Sequence, residues 1–145
     1  MQLPWYVAAI GAAVTWGIHY PLLDFALKRI SVYGVLVLSV IPVLLFMPFF
    51  LRVLASDVDS FKLLTMKEQC SILLIAVTSA VGAVLLLLSI ESKNATLTSV
   101  IEISYPIFVV LFAYLFFRQV HINLSVMIGG LLILTGAAII IINNQ

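Results

Sequence analysis

The chain has 145 residues, 64% of them hydrophobic and 9% charged, with a formal net charge of +1 and a mean hydropathy of +1.28. Water-soluble domains run near about 45–50% apolar and roughly 25% charged. A soluble fold of this size leaves a sizeable share of its surface in water, so this composition excludes one and points to an all-α integral membrane protein. The near-neutral charge offers no footprint for nucleic acid. The single cysteine, Cys70, excludes an internal disulfide and a cysteine-based metal cluster. Its place at the start of an apolar run reads as a small buried hydrophobe.

Roughly 20 apolar residues cross the hydrocarbon core, and five stretches reach that length. The first is expected over about 3–27, with Pro4 suited to an opening turn. The start, Met1-Gln2-Leu3-Pro4, has no basic region, and the apolar run continues to Leu27. That is too long for a cleavable signal, so this helix is expected to be retained. After Lys28-Arg29, Ser31 is a candidate N-cap for a second helix over about 32–54, with bends expected at Pro42 and Pro48. The longest polar stretch, Ala55 to Ser60, follows. Thr65-Met66-Lys67-Glu68 has the form of a capping box and places the start of a third helix, about 66–90. Glu91-Ser92-Lys93-Asn94 is a short turn. Asn94-Ala95-Thr96 matches a glycosylation sequon, but Asn94 reads better as the N-cap of a fourth helix, about 95–117. Arg118-Gln119-Val120-His121 separates it from a fifth, about 122–142. The whole reads as a single transmembrane domain spanning 1–145.

Five spans put the two ends of the chain on opposite sides of the membrane. The N-terminal side then carries Arg52, Lys62, Lys67 and Arg118, and the other carries Lys28, Arg29 and Lys93. Orientation follows such basic residues, and four against three is almost no bias. Two readings stand: a weak preference for N-inside, or insertion both ways round, which permits an antiparallel homodimer.

The last two helices carry a recognisable pattern. It runs from Ser99-Val-Ile-Glu-Ile-Ser-Tyr-Pro106-Ile-Phe108 through Leu115-Phe-Phe-Arg-Gln-Val-His121 to Ile128-Gly-Gly-Leu-Leu-Ile-Leu-Thr-Gly136. This resembles the drug/metabolite transporter superfamily, specifically its EamA-type domain, in which a proline–aromatic pair lies in helix four and a glycine-bearing helix five closes the repeat. Trp16-Gly17 and Lys28-Arg29-Ile30-Ser31 look similar to the same pattern. Helix five also resembles that of the small multidrug resistance proteins, since Gly129 and Gly136 lie seven apart, as their dimerising glycines do. There are departures. Phe117-Arg118 stands where a Gly-Glu pair is common, Ser39 lies near a missing helix-two arginine, and the helix-one acid of the small multidrug resistance proteins is absent at Thr15–Trp16. Most members of the superfamily carry two five-helix repeats; here one is expected. A single repeat cannot form an alternating-access pathway alone, because that mechanism rocks one repeat against an inverted partner. The resemblance therefore implies a homodimer, with Gly129 and Gly136 at its interface, or pairing with a homologous subunit.

Ionisable groups within spans are costly, on the order of 2.5–3.5 kcal/mol each at the bilayer centre, and so mark candidate sites. With a rise of about 1.5 Å per residue, His19 falls about 6 Å from the midplane and Glu102 roughly 6–8 Å, both toward the same side. At matched depth a carboxylate and an imidazole can share a proton. Trp16, His19 and Tyr20 share one helical face by their i, i+3, i+4 spacing, as do Thr98, Glu102 and Tyr105. An aromatic-lined vestibule with few polar groups suits a small organic solute. The competing reading makes Trp16, Tyr20 and Tyr105 ordinary packing residues and His19 a hydrogen-bonded structural histidine. Asp24 and Lys28 read as an i, i+4 ion pair. No phosphate-cradling loop, metal-ligand cluster or nucleophile–base pair is visible, so an enzyme, a cofactor and a metal are not expected. The expected function is a secondary transporter subunit moving a small organic solute, a metabolite, amino acid or drug-like compound, as a dimer. Proton coupling would run through Glu102. The alternatives are a lipid-linked sugar flippase subunit and a non-transporting membrane scaffold or accessory subunit. The expected location is the cell membrane, as a multi-pass protein, cytoplasmic if bacterial or archaeal.

Overall fold

The computed structural model describes residues 4–118 and 123–144. They form six helices: α1 (Trp5–Leu27), α2 (Val32–Lys62), α3 (Met66–Ser92), α4 (Ala95–Glu102), α5 (Tyr105–Phe117) and α6 (Leu124–Asn143). There is no strand among the described residues. Five segments are long and apolar enough to cross a membrane, with α4 and α5 together making the fourth, Ala95–Phe117. Helix is the expected solution in lipid, because each segment satisfies its own backbone hydrogen bonds there. The expected links at Gln119 to His121, and the first residues of the expected helices at Leu3 and Ile122, lie outside the described residues.

Local chemistry sets most helix starts. The Pro4 carbonyl accepts from Val7 N–H at 3.0 Å and Ala8 N–H at 3.2 Å, opening α1. Ser31 Oγ accepts from Gly34 N–H at 3.3 Å, and Asn94 Oδ1 accepts from Leu97 N–H at 2.8 Å. Asn123 does the same for Val126 N–H at 2.9 Å. At Thr65 the capping box closes reciprocally: Thr65 N–H and Oγ1 donate to Glu68 Oε2 at 2.9 and 2.7 Å, and Glu68 N–H donates to Thr65 Oγ1 at 3.4 Å. Each such cap satisfies backbone donors that a helix end otherwise leaves orphaned.

The chain divides into two compact units, one of residues 22–92 and one of 1–21 with 93–145. In the first, α2 packs against α3. The buried side chains Val32 and Val35 lie at the start of α2, and Leu87 and Ile90 at the end of α3. At the opposite end Gln69 Nε2 donates to the carbonyls of Phe61 and Leu64, both at 3.1 Å, and ties the α2–α3 turn. α2 does not stop near Leu54. The Ala55–Ser60 stretch is helical and runs on to Lys62, because polarity alone does not end a helix and no Gly or Pro interrupts it. Ser60 Oγ bonds the Ser56 carbonyl at 3.0 Å and Lys62 pairs with Asp59 at 3.0 Å, both along the helix. The Asp24–Lys28 pair is present at 3.4 Å, and the Arg29 guanidinium lies 3.6 Å from the Phe25 ring centroid.

Cys70 is exposed, not buried as its apolar neighbourhood suggests. It sits in the opening turns of α3 on a surface that no other helix of its unit covers.

In the second unit α4 packs against α6. Ala95 and Thr98 of α4 and Ala137 of α6 are buried. A Cβ at Gly130 would meet Ile107 of α5 at 3.5 Å, an ordinary contact, whereas nothing lies within 4 Å of one at Gly129 or Gly136. The small-residue stripe of α6 thus divides: Gly130 and Ala137 face the unit's own helices, and Gly129 and Gly136 are open. None of the residues of α5 is buried.

Candidate functional site

The candidate residues lie on α1, α4 and α5. Along α1, the i, i+3, i+4 spacing gathers three rings. Trp16 meets His19 edge-on with centroids 5.2 Å apart and meets Tyr20 at 6.1 Å. Such edge-to-face pairs hold one another's orientation. Tyr20 is buried, His19 half-buried and Trp16 exposed, so the cluster grades from packed to open.

Four hydroxyls in the spans bond back to a carbonyl of their own helix. Thr15 Oγ1 donates to the Gly11 carbonyl at 2.8 Å, Ser39 to Val35 at 3.0 Å, Thr78 to Leu74 at 2.8 Å and Thr135 to Leu131 at 2.8 Å. Glu102 differs. It is exposed and, among the described residues, its carboxylate has no ion pair or hydrogen bond; the ion pairs join Asp24 to Lys28 and Asp59 to Lys62. No hydrogen bond links it to His19. By count along the spans Trp5–Leu27 and Ala95–Phe117, His19 and Glu102 lie about 4.5 Å and 6 Å from their midpoints.

The fourth span is interrupted beside Glu102, which the sequence reading does not anticipate. α4 ends at Glu102 and α5 begins at Tyr105, with Pro106 in its first turn. Proline has no N–H and cannot serve the carbonyl four residues before it, which here is that of Glu102. Ile103 N–H donates to the Ser99 carbonyl at 3.1 Å, Ser104 N–H to Ile101 at 3.1 Å, and Ile107 N–H to Ser104 at 3.2 Å. Ser104 Oγ also donates to Ile101 at 2.7 Å. The carbonyls of Glu102 and Ile103 are left without a hydrogen bond among the described residues. Thr98 and Glu102 lie on α4 and Tyr105 opens α5; Thr98 is buried, while Glu102 and Tyr105 are exposed. The signal available was Pro106 itself, with a serine two residues earlier competing for the backbone.

Two apolar grooves lie elsewhere, one along α2 lined by Pro42, Phe46 and Phe50, and one where Leu54 and Phe61 meet Ile72 of α3. Neither includes the residues above. Among the described residues no group of His, Cys, Asp and Glu could hold a metal ion.

An all-helical chain with five spans, an aromatic–histidine cluster and a span carboxylate without an ion pair among the described residues has the makings of a multi-pass membrane transporter. The family model described as the EamA-like transporter family matches residues 3–142, and the chain belongs to that family. No curated protein and no solved structure matches it. Members of this family are transporters, not enzymes, and the five spans are consistent with one half-size repeat.

Proposed function

We propose that the chain is one repeat of a secondary transporter for a small organic solute, with the second repeat supplied by another copy or by a paired relative. The observation that carries this reading is Glu102, an unpaired acid within a span of a transporter-family chain. An ionisable residue held there without a partner is costly unless it has work to do. In this scheme Glu102 takes a proton from one side and releases it when solute or the opposite side displaces it. His19 modulates that exchange from a matching depth, and Trp16, Tyr20 and Tyr105 line the solute's path. The near-balanced basic residues suit an antiparallel homodimer, with two such clusters exchanged by the two-fold axis and Gly129 and Gly136 at the contact. The host membrane is the cell membrane, cytoplasmic in a bacterium or archaeon.

The test is solute-driven proton flux in liposomes containing the full chain and a trapped pH dye, across a panel of amino acids, amines and nucleobases. At least one solute should drive flux in the wild type and none in Glu102→Gln, with His19→Gln intermediate and expression unchanged in both. Equal flux in Glu102→Gln removes the coupling role. Absence of movement for every solute favours a scaffold.

A further inference from the structure

The two apolar grooves of the unit of residues 22–92 join at Leu54, which lines both. In the first, Pro42, Phe46, Phe50 and Leu54 recur every fourth residue of α2 and so share one face. The second continues past Leu54 to Asp57 and Ser60, with Ile72 of α3 in its wall. Basic Lys28-Arg29 precedes α2, whose first residue is Val32. Counted from there, a hydrocarbon core about 30 Å thick has its middle near Pro42 and its far edge near Arg52. The first groove therefore runs from the midplane to the surface, about 18 Å for its twelve positions, which is the depth of one leaflet. Asp57 stands about 7 Å beyond that edge, at the height of a headgroup layer about 5–8 Å deep.

This placement selects among occupants. A partner helix crossing the membrane would lie along both leaflets, whereas the groove stops at Pro42. A single acyl chain occupies one leaflet and matches it. The mouth adds a choice of headgroup. Among the described residues the Asp57 carboxylate has no ion pair or hydrogen bond, while the neighbouring acid, Asp59, is held by Lys62 at 3.0 Å. The Ser60 hydroxyl donates to the Ser56 carbonyl, so its oxygen is left as an acceptor. No Lys, Arg or His is among the described residues that line either groove. Helical side chains tilt toward the N-terminus of their helix, so Asp57 leans back toward the bilayer. A mouth of acceptors with one negative charge attracts a cationic donor and repels a headgroup whose only charge is negative.

We infer that this continuous groove binds a phospholipid with a primary ammonium headgroup, a phosphatidylethanolamine. Its acyl chain lies along Pro42 to Leu54 and its ammonium sits on Asp57. The lipid is a resident of the α2–α3 pair and not a transported solute, so the inference goes beyond the transporter reading and does not depend on it.

The test titrates the full chain in detergent with palmitoyl-oleoyl phosphatidylethanolamine, phosphatidylcholine or phosphatidylglycerol, and counts bound lipid by native mass spectrometry. Phosphatidylethanolamine should bind about three- to fivefold more tightly than the other two, the range an exposed ion pair supports. Asp57→Asn should bring it down to the level of phosphatidylcholine, and Asp57→Glu should keep the preference. Asp59→Asn, which alters an acid outside the groove, should leave it unchanged. A phosphatidylethanolamine with a diazirine on its acyl chain should crosslink chiefly within residues 42–54. No preference in the wild type, a preference that survives Asp57→Asn, or an equal loss in Asp59→Asn overturns the headgroup site. Phosphatidylcholine bound as tightly as phosphatidylethanolamine overturns the primary-ammonium assignment. Crosslinks spread evenly over all five spans would mean annular lipid only, and overturn the groove.

Discussion

Gly136→Leu isolates the proposed dimer contact from the fold of the subunit. Among the described residues nothing beyond the neighbouring backbone of α6 lies within 4 Å of a Cβ at Gly136, so the new side chain meets no other helix at its root. Replacing glycine by leucine also raises helix propensity by about 0.8–1 kcal/mol, so α6 itself is not weakened. If Gly136 seats a second α6, the added bulk overpacks that contact, at about 1–3 kcal/mol per insertion. A two-fold contact receives the insertion twice, hence about 2–6 kcal/mol. At about 1.4 kcal/mol per tenfold, the dimer should weaken at least thirtyfold. The assay is energy transfer between donor- and acceptor-labelled copies in liposomes, followed as lipid dilutes protein. Gly130→Leu serves as contrast: its side chain grows toward Ile107, 3.5 Å from the Cβ position, and should lower the subunit's thermal stability. A dimer that persists unchanged in both Gly129→Leu and Gly136→Leu places the interface elsewhere.

Three other outcomes follow from the same reasoning. Arg118 has φ 56°, the one positive value at a non-glycine among the described residues; such a conformation costs about 1–2 kcal/mol for a residue with a Cβ. Arg118→Gly relieves that and loses an approach of the guanidinium to the Tyr114 ring at 5.6 Å, worth about 0.5–1 kcal/mol when exposed. The variant should be more stable by roughly 0.5–1 kcal/mol in reversible denaturation, and a destabilised variant would show that the strain is not there. Thr65→Ala opens the capping box and should cost about 1 kcal/mol, read as faster hydrogen exchange at Met66 to Glu68 and not in the middle of α3. Two lysines added beside Arg118 should fix the N-terminus inside, scored with a tag at each end; a wild type already wholly on one side excludes dual insertion.

Five spans are legible in the sequence because bilayer thickness sets a length that hydropathy reports directly. The caps at Ser31, Thr65 and Asn94 are legible too, since a side-chain oxygen within reach of nearby N–H groups is a local matter. The Trp16, His19, Tyr20 cluster follows from helical spacing alone. The true end of α2 does not, because Ser56, Asp57 and Asp59 look like a linker while the Ser60 hydroxyl and the Asp59–Lys62 pair bond along a helix. The break after Glu102 escapes because the fourth span stays apolar on average through Phe117, so hydropathy is silent where the hydrogen bonding changes. Cys70 is misjudged for another reason: in a membrane chain, apolar surroundings in sequence do not imply protein on every side. The open half of the α6 stripe emerges only when Gly130 and Ala137 are seen to face inward.

The length of α2 has a practical consequence for orientation. Its 31 residues extend about 46 Å, and a span tilted by about 20° needs only some 32 Å to cross the hydrocarbon. About ten residues, Val53 to Lys62, therefore stand clear of the bilayer as a rigid post carrying Asp57, Asp59 and Lys62. Gln69 clips the start of α3 to that post, and Cys70, the chain's single thiol, sits beside it just ahead of the apolar run from Ile72. The untagged protein thus carries its own reporter: an impermeant maleimide applied to sealed vesicles should label Cys70 only in molecules whose post points outward, and the labelled fraction counts them.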